Sequence, residues 1–194
     1  HMIISVVGSN LSQSALKKLV KCKFMMPSVP LDNLKDETEQ VPYKRLGHMH
    51  LGNGNNTNLV YYSLGVNSLH RMHPDRVVLF ALSSLLGEGL NSRLFRRLRT
   101  EGGHTYDIQS SYQLFREGGI FSISGMSNNK TFTQVIRDIE TELDNLVQKT
   151  ATSEEMKMVK NRLRSNLIFN LENPELRMIR LLKLENWFQK TFSV

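Results

Sequence analysis

The chain opens on a strand-like run, Ile3-Ile4-Ser5-Val6-Val7, and after Gly8 its apolar residues fall at Leu11, Ala15, Leu16, Leu19 and Val20. β-branched residues in a short run predict a strand, and the spacing of three and four that follows predicts a helix. Pro27, Pro30 and Pro42 then stand among acidic and polar residues, so 26–43 reads as a connecting segment. Two further strands are expected, one around 45–51 and one over 58–66, with the polar, Asn- and Gly-rich 52–58 between them. That turn chemistry suits a hairpin-like connection and leaves open whether the two strands pair directly.

Pro74 at a first-turn position, with Asp75 beside it, predicts an apolar core helix running to Leu86, which Gly87 and Gly89 stop. Asn91 or Ser92 caps a second helix, whose Leu94, Phe95 and Leu98 face inward and whose arginines occupy the remaining surface. Gly102-Gly103 ends it. From 105 to 115 and from 119 to 124 the pattern is strand-like, and Arg116-Glu117-Gly118 links the two as a β-hairpin.

The last third is helical. Phe132, Val135, Ile136, Ile139, Leu143, Leu146 and Val147 form one apolar stripe. Thr152-Ser153-Glu154-Glu155 is a capping box ahead of a helix bearing Met156, Val159, Leu163 and Leu167. A further helix starts at Asn173-Pro174 and carries Leu176, Ile179, Leu182, Trp187 and Phe188. Three amphipathic helices need a shared apolar surface, and a half-buried sheet supplies one. The expected architecture is α+β, a mostly antiparallel sheet of about four to five strands with α-helices packed on one face.

A length of 194 residues with 40% hydrophobic and 22% charged residues suits one full core and excludes disordered and collagen-like classes. His1-Met2 reads as a tag remnant, leaving 3–194 as a single domain. Its start in a strand and its unfinished helical end suggest a piece of a longer chain. No run approaches the roughly 18 apolar residues of a membrane span, and no signal peptide opens the chain, so a soluble protein without a membrane partner is expected. The cytoplasm is favoured, with the mitochondrial matrix as the alternative in a eukaryote. The lone Cys22 allows no internal disulfide and reads as a small packing residue.

The formal charge of +7 is densest at Arg93, Arg96, Arg97 and Arg99. Charge alone does not choose between phosphate backbones and acidic peptides, and without a nucleic-acid motif no nucleic-acid partner is expected. Metal chemistry finds little support. His48-Met49-His50 and His70-Arg71-Met72-His73 each lack a nearby third ligand, and neither H-E-x-x-H, H-x-x-E-H nor a cysteine pair occurs. Gly87-Glu88-Gly89-Leu90-Asn91-Ser92 lacks the third glycine of a dinucleotide fingerprint and follows a helix, and no G-x-S-x-G elbow is present.

Leu85-Leu86-Gly87-Glu88-Gly89, then Ser92-Arg93-Leu94-Phe95, then Arg99 with Tyr106 seven residues on, resembles the second-half domain of the pitrilysin-like (M16) zinc metallopeptidases. Gly118-Gly119 before Phe121-Ser122-Ile123, and Glu154-Glu155 through Lys160-Asn161 and Leu163 to Leu171-Glu172, extend the resemblance over nearly the whole chain. It implies a division of labour in peptide-bond hydrolysis. A first-half domain or subunit carries H-x-x-E-H and the zinc, while the second half binds extended peptide and supplies an arginine and a tyrosine, here Arg99 and Tyr106. A phenol can donate to a developing oxyanion, and a guanidinium can anchor a substrate carbonyl. Arg99 lies within one turn of the Gly102-Gly103 stop, so a chain reversal there is expected to bring Tyr106 back near it.

This chain would then bind no metal or cofactor itself and would be inactive alone. Arg93, Arg96 and Arg97 read as surface charges that bias a substrate chamber towards acidic peptides, and His104 has no assigned role. The alternative within the family is a member without catalysis, acting as a scaffold or peptide-binding subunit. A homodimer through the docking face is also open.

Overall fold

The computed structural model describes residues 3–9, 12–23 and 58–188. Its elements in chain order are α1 (Gln13–Lys23), β1 (Leu59–Ser68), α2 (Arg76–Gly87) and α3 (Arg93–Phe95), the last continuing into a π-helical turn (Arg96–Glu101). β2 (Thr105–Leu114), β3 (Gly119–Asn128), α4 (Phe132–Gln148), α5 (Ser153–Glu172) and α6 (Pro174–Phe188) follow. The chain divides into two compact units, His1–Tyr43 with Asn166–Val194, and Lys44–Ser165.

The second unit holds the sheet, an antiparallel three-stranded array in the order β1-β3-β2 among the described residues. The α+β class with a mostly antiparallel sheet is therefore as expected, and three strands fall among the described residues against the four to five expected. Residues 3–8 form no strand, and the strand expected at 45–51 lies outside the described residues, as do His48 and His50. The 105–124 hairpin is present, and β3 runs on to Asn128 because β1 pairs with its far side, Leu59 facing Asn128 and Ser68 facing Gly119.

One sheet face is apolar. Ile108, Phe121 and Ile123 meet Leu79 and Leu86 of α2, Leu94 of α3, Leu98 of the π-helical turn and Val135 and Ile139 of α4 in a single buried cluster. Alternation along the strands puts mostly polar residues on the other face, where the Ser111 and Ser122 hydroxyls lie 2.9 Å apart and Tyr61 is 77% exposed. Among the described residues, α2, α3 and α4 supply the helical side of that cluster. α6 belongs to the other unit and buries none of its residues, leaving Leu176, Ile179 and Leu182 partly exposed.

Local chemistry explains the helix boundaries. The capping box at 152–155 forms: the Glu155 N–H donates to Thr152 Oγ1 at 3.2 Å, and the Thr152 N–H donates to Glu155 Oε2 at 2.8 Å. Asn173 Oδ1 caps α6 by accepting from the N–H groups of Glu175 and Leu176. Ser92 is the N-cap of α3, but its hydroxyl donates back to the Gly89 carbonyl at 2.7 Å instead of capping forward. Pro74 stands one residue before the α2 cap, Asp75, so it precedes the first turn instead of lying in it. Cys22 is exposed, contrary to the packing role expected of it. No helix among the described residues is long and apolar enough to cross a membrane.

Helix α2 approaches β2 closely at its last residue, Gly87. A Cβ there would run into the backbone nitrogen and side chain of Ser110, whose hydroxyl donates to the Ser83 carbonyl at 2.7 Å. Gly87→Ala is therefore expected to lower unfolding free energy by about 1–3 kcal/mol through overpacking, read as a lower urea midpoint at unchanged slope. An unchanged midpoint would show that the contact yields freely.

Candidate functional site

The segment from Arg93 to Tyr106 is anchored from behind. Arg93 is no surface charge: Nε and Nη2 donate to Glu155 Oε1 and Oε2 at 2.7 and 2.8 Å, and Nη1 lies 3.6 Å from Glu142 Oε1. The side chains of Arg93 and Glu155 are only 10% and 15% exposed. Arg97 pairs with Asp138 at 3.5 Å and with the second Glu142 oxygen at 3.5 Å. These two arginines are thus taken up by α4 and α5 and do not tune an open chamber. Arg96 stays exposed, 3.4 Å from Glu101. Glu142, buried in α4, is a residue that the apolar stripe gave no reason to expect inside; it is tolerated there because two guanidiniums meet it.

With that side tied down, the π-helical turn ends in a tight reversal. Gly102 N–H donates to the Arg97 carbonyl at 3.0 Å and His104 N–H to the Leu98 carbonyl at 2.9 Å, with Gly103 between them at φ +62°. This left-handed glycine, spanned by a hydrogen bond that reaches back six positions from His104 to Leu98, terminates the helical segment and turns the chain back. The His104 carbonyl accepts from Thr131 Oγ1 at 2.9 Å, tying the loop to the start of α4. The expected reversal is present, and it delivers the chain directly into β2.

The reversal separates the two candidate residues, both of which are exposed. Arg99 lies in the last turn before it, with its guanidinium carbon 5.0 Å from the centre of the Phe95 ring, and it makes no hydrogen bond or ion pair among the described residues. Tyr106 follows the reversal and is 54% exposed. It sits where the β2–β3 register slips, since Thr105 faces Ser127 while Asp107 faces the adjacent Met126. Tyr106 is the extra residue of a β-bulge. No hydrogen bond joins Arg99 to Tyr106 among the described residues; what they share is an open setting at the two ends of one fixed turn.

Two of the described histidines lie against each other. His70 and His73 stack edge to face at 5.4 Å, and His73 Nδ1 accepts from the Asp75 N–H at 3.1 Å. No group of three or more His, Cys, Asp or Glu side chains among the described residues could hold a metal ion.

This is an α+β domain with a helix-to-strand turn that carries an exposed arginine and tyrosine. The model of the M16 peptidase inactive domain matches residues 1–163, and the chain belongs to that family, as its C-terminal type of half domain. An uncharacterized zinc protease of Mycobacterium tuberculosis is 31% identical over 134 residues, 69% of this chain and 31% of that protein. The uncharacterized zinc protease YmxG of Bacillus subtilis is 25% identical over 184 residues, 93% of this chain and 42% of that protein. The chain thus spans less than half the length of these relatives. A solved protease from Helicobacter pylori shares the fold, with a TM-score of 0.72 at 21% identity over 94% of this chain and 45% of that one.

The Arg93–Glu155 pair sets a pH dependence. The hydrogen bond from Arg93 holds the Glu155 carboxyl down at about 2, against an ordinary value of 4.5, with burial opposing and the Thr152 N–H assisting. A carboxyl with a depressed folded-state pKa contributes its full stability above the unfolded value and loses it as pH falls towards 2. Glu155→Gln is expected to cost about 3 kcal/mol at pH 7 and progressively less below pH 4.5, followed by urea unfolding at several pH values. An equal cost at pH 7 and pH 2.5 would contradict this account of Glu155.

Proposed function

We propose that the chain is the non-zinc half of an M16 metallopeptidase, which binds extended peptide and completes the active site of an H-x-x-E-H zinc half for peptide-bond hydrolysis. The reading is carried by one observation: Arg99 and Tyr106 stand exposed on either side of a reversal fixed by Gly103. Family membership, and the zinc-protease names of relatives more than twice as long as the matched segment, support it. The partner half, in the same polypeptide or a separate subunit, supplies the zinc; this chain alone is inactive.

Its own contribution is hydrogen bonding to the substrate. The Tyr106 hydroxyl donates to the oxygen of the attacked carbonyl as negative charge develops there, and a donor already in place needs no reorganisation during the reaction. Arg99, otherwise unengaged in hydrogen bonding among the described residues, offers its guanidinium to a neighbouring substrate carbonyl.

With the zinc half present, Tyr106→Phe should lower kcat on a peptide substrate by about 10²-fold with little change in KM, because the lost bond strengthens in the transition state. Arg99→Ala should act mainly on kcat/KM. Wild-type turnover in both variants would refute the assignment.

A further inference from the structure

Strict alternation along β2 would turn Tyr106 inward. Ile108 and Ser110 face the core, Asp107 and Gln109 face out, and a regular strand would place residue 106 on the core side and residue 105 outside. The structure has the reverse, with Thr105 buried and Tyr106 exposed, because the register slip between Thr105 and Asp107 changes the parity of everything before it. Whatever holds that slip determines where the Tyr106 hydroxyl stands.

We infer that the Thr105 hydroxyl is the clip that holds the bulge and so positions Tyr106, an inference that rests on the role proposed above for that phenol. Thr105 Oγ1 lies 2.7 Å from the Asp107 carbonyl oxygen on its own strand and 2.7 Å from the Met126 carbonyl oxygen on β3, the two residues paired at the slip. Its single proton serves both acceptors, which a regular ladder would have satisfied with backbone N–H groups. Tyr62 Oη, 3.4 Å away, supplies a donor to the lone pairs of the same hydroxyl. The Tyr62 ring is fixed against Phe132 at 6.0 Å between centroids.

The space for the arrangement comes from Gly125, where a Cβ would collide with the Asp107 carbonyl oxygen and the Tyr62 phenol. A threonine, a tyrosine and a glycine on three different strands thus converge on one irregular step. Valine has nearly the same shape as threonine and cannot donate, so it would leave two carbonyls short of a partner. The ladder could then recover them by closing the bulge, which rotates Tyr106 towards the core. Thr105 is in these terms a positioning residue and does not itself touch substrate.

Nitration by tetranitromethane reports phenol exposure without reference to activity, and the exposed Tyr61 is an internal control. In the full-length protein, Thr105→Val should slow nitration of Tyr106 severalfold relative to Tyr61, and Thr105→Ser, which keeps the hydroxyl, should match wild type. If Thr105→Val does not fold, Thr105→Ala supplies the same readout. In turnover with the zinc half present, Thr105→Val should lower kcat about tenfold and have no further effect in a Tyr106→Phe background. Wild-type nitration of Tyr106 in the hydroxyl-free variant, or a Ser variant as slow as the Val variant, overturns the clip. Normal nitration changes with a fully active Tyr106→Phe would instead overturn the catalytic role of Tyr106 and leave the clip standing.

Discussion

Glu155 is shared between two structures that must form together. One of its oxygens accepts from the Thr152 N–H, closing the first turn of α5, and the same carboxylate receives both prongs of the Arg93 guanidinium. A bidentate pair of this kind fixes orientation as well as distance, and its seclusion from water makes either partner costly to leave alone. Glu142 and Asp138 on α4 extend the network to Arg97, one turn further along. The arginine-rich segment is thereby held on one side by two helices, so its opposite side and its end are fixed in space without being used up.

That constraint gives the exposed residues their setting. Leu94 and Leu98 anchor the same segment in the core, and the left-handed Gly103 then forces an immediate return into β2. Arg99 before the turn and Tyr106 after it are therefore placed by backbone geometry, with little help from bonds of their own. Such an arrangement suits groups whose hydrogen bonds are made to something outside the chain, since a side chain already satisfied internally would have to exchange partners to act. The β-bulge completes the placement by turning out an aromatic side chain that strand alternation alone would bury.

Most of the architecture was legible in the sequence because it rests on local periodicity and punctuation. The 105–124 hairpin, the α4 stripe and the 152–155 capping box all follow from spacing within a few residues, and each is present. What escaped was set by partners far along the chain. Arg93 looks like its neighbours Arg96 and Arg99 until Glu155, sixty-two positions later, is brought against it. Glu142 fell on the buried side of α4, where hydrophobicity alone would place no carboxylate. The bulge at Tyr106 left no mark in the 105–115 pattern beyond a threonine next to a tyrosine, because its cause lies in Gly125 and Tyr62 on other strands. The run Ile3 to Val7 has the β-branched residues of a strand, yet residues 3–8 form none, because propensity alone does not make a ladder.

If Tyr106 serves as proposed, its hydroxyl meets the reacting carbonyl of a peptide held against a zinc half. The decisive measurement is a structure of the two halves together with a phosphonate peptide, whose tetrahedral oxygens stand in for the developing oxyanion. The Tyr106 hydroxyl is expected within about 2.5–3.0 Å of a phosphonate oxygen, with the Arg93–Glu155 pair intact behind it. A phosphonate bound at the zinc with Tyr106 turned away and out of hydrogen-bonding reach would contradict it.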